Sequence, residues 1–255
     1  MAKRIESLKI IGRKQIKTDF FVIELLSQNN LSGIKPGQFV EVKVENSPGT
    51  FLRRPFSVHD TDPENNVLKL LIQVKGPGTE ALSGLFPGDY LNIIYPLGNW
   101  FSLPEGSRKV LLAGGGCGIA PLLFLARYLR SNGFIPDILI GFRNSERILE
   151  YDEYSREGQV FITTEDGSEG EKGYVTEHSV LLARRYDKIY CCGPEQMMKA
   201  MAKYAREKSS DCEVSLENLM GCGFGACLCC VVDTVNGNKC TCTDGPVFNI
   251  KELKW

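Results

Sequence analysis

The sequence predicts an α+β multidomain chain: an antiparallel β-barrel, a doubly wound α/β domain and a small cysteine-rich C-terminal subdomain. Three observations carry this. Short apolar runs separated by Pro-Gly turns fill the first hundred residues, strand and helix patterns alternate after Arg108, and six of the ten cysteines crowd between Cys222 and Cys242. The 255 residues exceed one ordinary domain, and the expected divisions are 1–102, 103–210 and 211–255.

In the first stretch, runs at 20–25, 38–44, 68–74 and 90–94 are rich in Val, Ile, Leu and Phe. Pro36-Gly37, Pro48-Gly49, Pro77-Gly78 and Pro87-Gly88 punctuate them. Short strands with turn signals at this spacing fit an antiparallel barrel. One short helix is expected over 79–85. Beyond Arg108, strands are expected over 109–113, 137–142, 159–164 and 188–192, and helices over 119–129, 175–184 and 195–207. Such alternation places the strands in a parallel sheet. From Asp211 the chain has no long helix and is too short to hold a core without a staple.

Composition narrows the class. Lys plus Arg total 30 and Asp plus Glu 31, so global charge argues against a nucleic-acid partner. With 43% hydrophobic and 24% charged residues, the chain is globular rather than disordered. The start, MAKRIESLKIIGRK, lacks the apolar core of a signal peptide. The longest apolar stretch, 110–126, is interrupted by four glycines and a proline and is short for a membrane span. A cytoplasmic protein without membrane attachment is the expectation.

The cysteines give the strongest chemical signal. Cys222, Cys227, Cys230 and Cys242 have the spacing C-x4-C-x2-C-x11-C. The first three match the plant-type [2Fe–2S] loop, with a fourth thiolate further along. Gly221, Gly223, Gly225 and Ala226 keep that loop free of bulk, so backbone N–H groups can face sulfur. Asn236-Gly237 signals a hairpin turn in the intervening excursion. Cys229 and Cys240 are surplus: Cys229 forms C-x-C with Cys227, and Cys240 competes with Cys242 for the fourth position. The turn Thr243-Asp244-Gly245-Pro246 after Cys242 favours Cys242. A four-thiolate zinc site is the alternative, but it typically uses paired C-x2-C knuckles and only one pair exists here. With only His59 and His178 present, a histidine-rich metal site is disfavoured, and neither histidine is given a role.

Two further motifs suit nucleotides. Arg54-Pro55-Phe56-Ser57 ends an expected strand, and the planar Arg fork suits a diphosphate. Gly76-Pro77-Gly78-Thr79 then precedes a helix start. Alone, an edge-strand Arg beside a turn is the better account of the first motif; in order with the next motif, the nucleotide reading prevails. Downstream, Gly114-Gly115-Gly116-Cys117-Gly118-Ile119-Ala120-Pro121 reads as strand, glycine turn and helix start, a cradle for a diphosphate. Cys192-Gly193-Pro194 repeats that pattern, placing Cys192 either beside a nicotinamide or as a small buried residue. Met197 and Met198 read as core. Arg143 and the run Thr164 to Ser168 end strands on the same edge, either toward adenosine and phosphate or as solvated loops.

Taken in order, these motifs resemble the ferredoxin-NADP reductase superfamily. With the tail from Leu219 through Cys242-Thr243-Asp244-Gly245-Pro246-Val247-Phe248, the whole chain resembles the electron-transfer subunits of type B dihydroorotate dehydrogenase. The resemblance implies FAD in the barrel, NAD in the α/β domain and a [2Fe–2S] cluster in the tail. It assigns Arg54, Pro55, Phe56, Ser57, Leu71, Ile72, Gln73, Gly78 and Thr79 to FAD, and Cys222, Cys227, Cys230 and Cys242 to the cluster. Gly114, Gly115, Gly116, Cys192 and Gly193 serve the nicotinamide cofactor. No acid–base catalytic residue is implied. The implied partner is an FMN-containing catalytic subunit in a heterotetramer of two plus two, working in pyrimidine biosynthesis. Related sulfide dehydrogenase and transhydrogenase reductases share the flavin and nicotinamide motifs, so they stand as the alternative. No basic pair after Gly141 marks a 2′-phosphate, and the choice between NAD and NADP stays open on residues alone.

Overall fold

The structure, a computed structural model, describes residues 2–106 and 109–255. The change of pattern expected at Arg108 lies outside the described residues. The chain divides into two compact units. One comprises the chain as far as Trp100 with Asn218–Val232 and Lys239–Pro246; the other comprises Phe101–Glu217, Asp233–Asn238 and Val247–Trp255. Residues from Asp211 onward are thus shared between the two.

The first unit is built on strands β1 (Arg4–Lys17), β2 (Phe20–Leu26), β3 (Phe39–Val42), β4 (Arg54–Ser57), β5 (Asp60–Asp62), β6 (Val67–Gln73) and β7 (Tyr90–Leu97), with helix α1 (Pro77–Ser83) before β7. Among the described residues they form one antiparallel sheet in the order β4-β3-β7-β1-β2-β6-β5. The sheet curls so that β4 and β6, near its opposite edges, come together. Register shifts in β1 between Ile10 and Gly12 and between Gln15 and Lys17 help this long strand bend. The sequence reading missed β1, because its charged residues interrupt the apolar pattern. Its inward face is nevertheless periodic, with Leu8 and Ile10 fully buried. Helix α1 starts two residues earlier than expected, since Pro77 suits the first turn and the Thr79 hydroxyl accepts the Lys75 and Gly76 N–H groups at 2.8 and 3.1 Å.

The second unit contains β8 (Val110–Gly115), α2 (Ala120–Ser131), β9 (Asp137–Phe142), α3 (Tyr151–Ser155), β10 (Gln159–Thr164), β11 (Glu171–Lys172), α4 (Val180–Ala183), β12 (Lys188–Cys192), α5 (Glu195–Lys208) and β13 (Asp211–Ser215). After the hairpin strands β14 (Val231–Thr234) and β15 (Gly237–Cys240), β16 (Val247–Asn249) joins this unit's sheet. The order is β11-β10-β9-β8-β12-β13-β16, parallel except for β16 against β13. The chain winds outward from β8 in one direction and resumes at β12 in the other, so the topological switch lies between these two strands. The helix expected over 175–184 is broken: a 3₁₀ turn over Val175–Glu177 precedes α4. His178 between them is extended, and its Nδ1 accepts the Val180 N–H at 3.0 Å. Likewise Asp211–Ser215, read as the start of the tail, is a strand pairing with β12.

A buried polar knot secures the amino end of β12. The Lys188 ammonium donates to Asp211 at 2.6 Å, Glu213 at 2.9 Å and Ser102 at 3.1 Å. The Tyr190 hydroxyl donates to the Ser102 carbonyl at 2.6 Å. No helix among the described residues is long and apolar enough to cross a membrane.

Candidate functional site

In the first unit, closure of the sheet collects the flavin candidates. Arg54, Pro55, Phe56 and Ser57 form β4 and are all half-buried. Leu71, Ile72 and Gln73 end β6, and Gly78 and Thr79 lie in the first turn of the helix that follows. A Cβ placed on Gly78 would stand 3.3 Å from Thr50 Cγ2 and 3.5 Å from Arg54 Nε. The glycine therefore keeps a gap beside the guanidinium. Leu71 and Ile72 are buried, Gln73 donates to Asp19 at 3.0 Å, and the Thr79 hydroxyl is engaged in the helix cap.

In the second unit, the glycine turn and the Cys192 turn meet at the switch point. Cys192 pairs with Gly114 across β12 and β8. A Cβ on Gly118 would come within 2.4 Å of Gly193 Cα, and one on Gly115 within 2.6 Å of Met197 Sδ. At Gly118 the approach is to backbone and only glycine permits it, and Gly116 adopts φ +55°. Burial pushes the Cys192 thiol well up, so it stays neutral and carries no nucleophilic thiolate. Met198 is buried core. At the outer edge, Ser168 Oγ accepts the Ser145 N–H at 2.8 Å, and Asp166 N–H donates to the Arg143 carbonyl at 3.3 Å, joining the ends of β9 and β10.

The cysteine loops belong to the first unit. Cys230 and Cys242 are buried and pack with Phe39 and Leu97, flanked by Ile94, Met220 and Cys240. Cys222 Sγ accepts the Ala226 N–H at 3.3 Å, and Cys227 and Cys229 sulfurs lie 3.4 Å apart. Hydrogen bonding from the Cys229 N–H, then from Cys222 and Cys229, draws the Cys227 thiol down to about 6. Burial, then Cys230, pushes Cys242 up to about 12. Burial, then Cys230 and Asp244, likewise raises the Cys240 thiol. Among the described residues no three His, Cys, Asp or Glu side chains form a ready site for a metal ion. The glycines matter sterically: a Cβ on Gly221 would lie 3.2 Å from Cys227 Sγ, and Gly223 and Gly225 adopt φ +76° and +92°.

Comparison with known proteins follows the same division. Residues 7–101 match the oxidoreductase FAD-binding domain, 112–203 the oxidoreductase NAD-binding domain, and 217–254 the iron–sulfur cluster binding domain of dihydroorotate dehydrogenase B. The protein named dihydroorotate dehydrogenase B (NAD(+)), electron transfer subunit, from Shouchella clausii is 36% identical over 99% of both chains. Its namesake from Clostridium perfringens is 41% identical over 87% of this chain and 88% of its own. The chain belongs to this family of electron transfer subunits. A solved structure of an NADH-dependent reduced ferredoxin-NADP oxidoreductase, described for flavin-based electron bifurcation, superposes with a TM-score of 0.88 at 32% identity, covering 98% of this chain and 90% of that one.

The residues fit the cofactors of dihydroorotate dehydrogenase B electron transfer subunits. For the cluster, the donor set is thiol-rich, one thiol is already acidic, and orphaned buried polar atoms lie beside the loops: both carboxyl oxygens of Glu41 and the hydroxyl of Thr241. For FAD, the gap at Gly78 lies next to a guanidinium. The turn that follows Cys242 is bolted to the barrel. Asn99 donates from its backbone to the Gly245 carbonyl at 2.6 Å and from its side chain to the Asp244 carbonyl at 2.8 Å. A Cβ on Gly98 would strike Pro246 at 2.5 Å. The sequence reading missed Phe39, Glu41, Gly98 and Asn99. One signal was available: a lone acidic residue inside the apolar run Phe39-Val40-Glu41-Val42.

Proposed function

We propose that this chain passes electrons from the FMN of a dihydroorotate dehydrogenase catalytic subunit to NAD+, by way of a [2Fe–2S] cluster and FAD, in pyrimidine biosynthesis. The observation that carries the reading is the packing of the cysteine loops onto the barrel that presents Arg54-Pro55-Phe56-Ser57. With these groups bound, a nicotinamide exchanges electrons in pairs as hydride, a cluster exchanges them singly, and a flavin does both.

The chain's own residues hold and orient. Cys222, Cys227, Cys230 and Cys242 supply the four thiolates; Cys242 is preferred over Cys240 because it is buried together with Cys230 against Phe39 and Leu97, whereas Cys240 only flanks that cluster. Arg54 offers its guanidinium to the FAD diphosphate beside the gap at Gly78, Ser57 offers a hydroxyl to the ring system, and Pro55, Phe56, Leu71, Ile72, Gln73 and Thr79 complete the FAD surface. Gly114, Gly115, Gly116 and Gly193 let NAD approach the switch point, with Cys192 as a small neutral neighbour. No side chain is assigned acid–base chemistry. The catalytic partner docks on the cysteine loop, where Leu219, Phe224 and Leu228 are 89%, 49% and 61% exposed. The assembly is a cytoplasmic heterotetramer of two plus two. A transhydrogenase-type role is less favoured, since relatives named for dihydroorotate dehydrogenase reach 41% identity and the tail matches that family's own cluster domain.

Anaerobic purification with flavin, iron and zinc analysis tests this. About two irons and one FAD per chain are expected, with cluster and flavin absorption. A colourless protein holding one zinc and no flavin would contradict it.

A further inference from the structure

We propose that Glu41 is a positioning residue for the iron–sulfur centre: its buried carboxyl group holds negative charge against the cysteine loop and sets the cluster's reduction potential below what the thiolates alone give. This rests on the reading that Cys222, Cys227, Cys230 and Cys242 hold a [2Fe–2S] cluster.

Placement comes first. On β3, residues two apart share a face, so Glu41 lies on the side that Phe39 turns toward Cys230 and Cys242. Its carboxyl lies under Gly223, the residue after Cys222: a Cβ there would come within 2.4 Å of Glu41 Cγ and 2.9 Å of Oε1. Across the ladder Glu41 pairs with Pro55 of the flavin motif and with Ile94, which flanks the Cys230–Cys242 cluster. One side chain thus stands between the two expected cofactors.

Isolation comes second. Glu41 is fully buried, and neither carboxyl oxygen has a hydrogen-bond partner. Arg53 is the nearest strong cation, yet its guanidinium bonds the Glu41 carbonyl at 3.2 Å, the Asn92 carbonyl at 3.1 Å and Asn92 Oδ1 at 2.6 Å. A purely structural position would favour a partnered or apolar side chain, because an unpartnered buried carboxyl is costly. A carboxyl fully buried under Gly223 is weakly screened, and nearby charge and hydrogen bonding are main determinants of a cluster's potential. Negative charge there disfavours adding an electron to the cluster, which biases electrons onward to the flavin. Glu41 itself neither gains nor loses one.

The test uses the assembled complex in three forms: wild type, Glu41→Gln and Glu41→Asp. Iron and FAD contents are measured first, then the cluster midpoint by an EPR-monitored redox titration at pH 8.5. The near-isosteric Gln variant is expected to retain iron and FAD and to raise the midpoint by at least a tenfold change in the one-electron equilibrium, 59 mV. The Asp variant is expected to stay within half that shift of wild type. Loss of iron from the Gln variant alone also supports a requirement for charge. A loaded Gln variant at the wild-type midpoint, or loss of iron from both variants, overturns the role of Glu41. Iron-free wild-type protein overturns the ligand reading as well, and the lack of any cluster EPR signal in wild type distinguishes that case.

Discussion

Two carboxyl groups in the same barrel are treated in opposite ways. Glu6, on β1, accepts from Ser27 Oγ at 3.0 Å, the Gln28 N–H at 2.8 Å, Asn29 Nδ2 at 2.9 Å and the Tyr95 hydroxyl. Burial pushes its pKa up, but these donors outweigh burial and hold it below the usual range. Glu41, on β3, has no donor at either oxygen, and burial, partly offset by Arg53, pushes it up to about 7. The second unit handles Lys188 as the barrel handles Glu6, with three acceptors within 3.1 Å. The fold can evidently satisfy a buried polar group. Among the buried groups it leaves without a hydrogen-bond partner, Glu41 and Thr241 adjoin the cysteine loops. At these two positions the incomplete hydrogen-bond set lies beside the thiols, as expected of residues that await a cofactor.

That contrast can be broken by mutation. Lys188→Met leaves Glu213 buried without its cation, and a loss of about 3–5 kcal/mol is expected, read as a fall in Tm of about 10 °C. Glu6→Ala strips four donors of their acceptor and should cost about 2 kcal/mol in chemical denaturation. The pH dependence has a definite sign. Because the folded pKa of Glu6 is depressed, its contribution is complete above the unfolded value of 4.5 and disappears as pH falls through the folded value. Wild type and Glu6→Ala should therefore converge in acid. Glu41 runs the other way, since its folded pKa is raised: its contribution is complete below 4.5 and is lost as pH rises through about 7. The Gln variant should flatten that alkaline decline by about 2 kcal/mol, measured as unfolding free energy at pH 5 and pH 8. Smallest of all, Thr241→Val removes a hydroxyl that has no partner and should alter stability by less than about 1 kcal/mol. A cost at Thr241 equal to that at Lys188 would erase the distinction.

Much of this was legible in the sequence, for identifiable reasons. Strands β9, β10 and β12 fall where the apolar runs place them; β9 and β12, central in a parallel sheet, are buried along nearly their whole length and so carry unbroken apolar runs. The first strand escaped because charged residues run through it and only Leu8 and Ile10 of its fourteen residues are buried. A helix over 175–184 looked continuous, since periodicity does not register that His178 breaks it with its own side chain. Cysteine spacing pointed to the loops, yet not to which sulfurs approach each other, because that depends on Phe39 and Leu97, far away in sequence. Glu41 had a signal in its apolar surroundings, but its meaning required seeing Gly223 above it.

The central claim is that electrons cross this chain through the thiolate-held centre. Replacing Cys230 by Ser in the assembled complex tests it most directly, with dihydroorotate as donor. NAD+ reduction should vanish while the catalytic subunit still reduces an artificial dye and FAD content is unchanged. Undiminished NAD+ reduction by that variant would contradict the account.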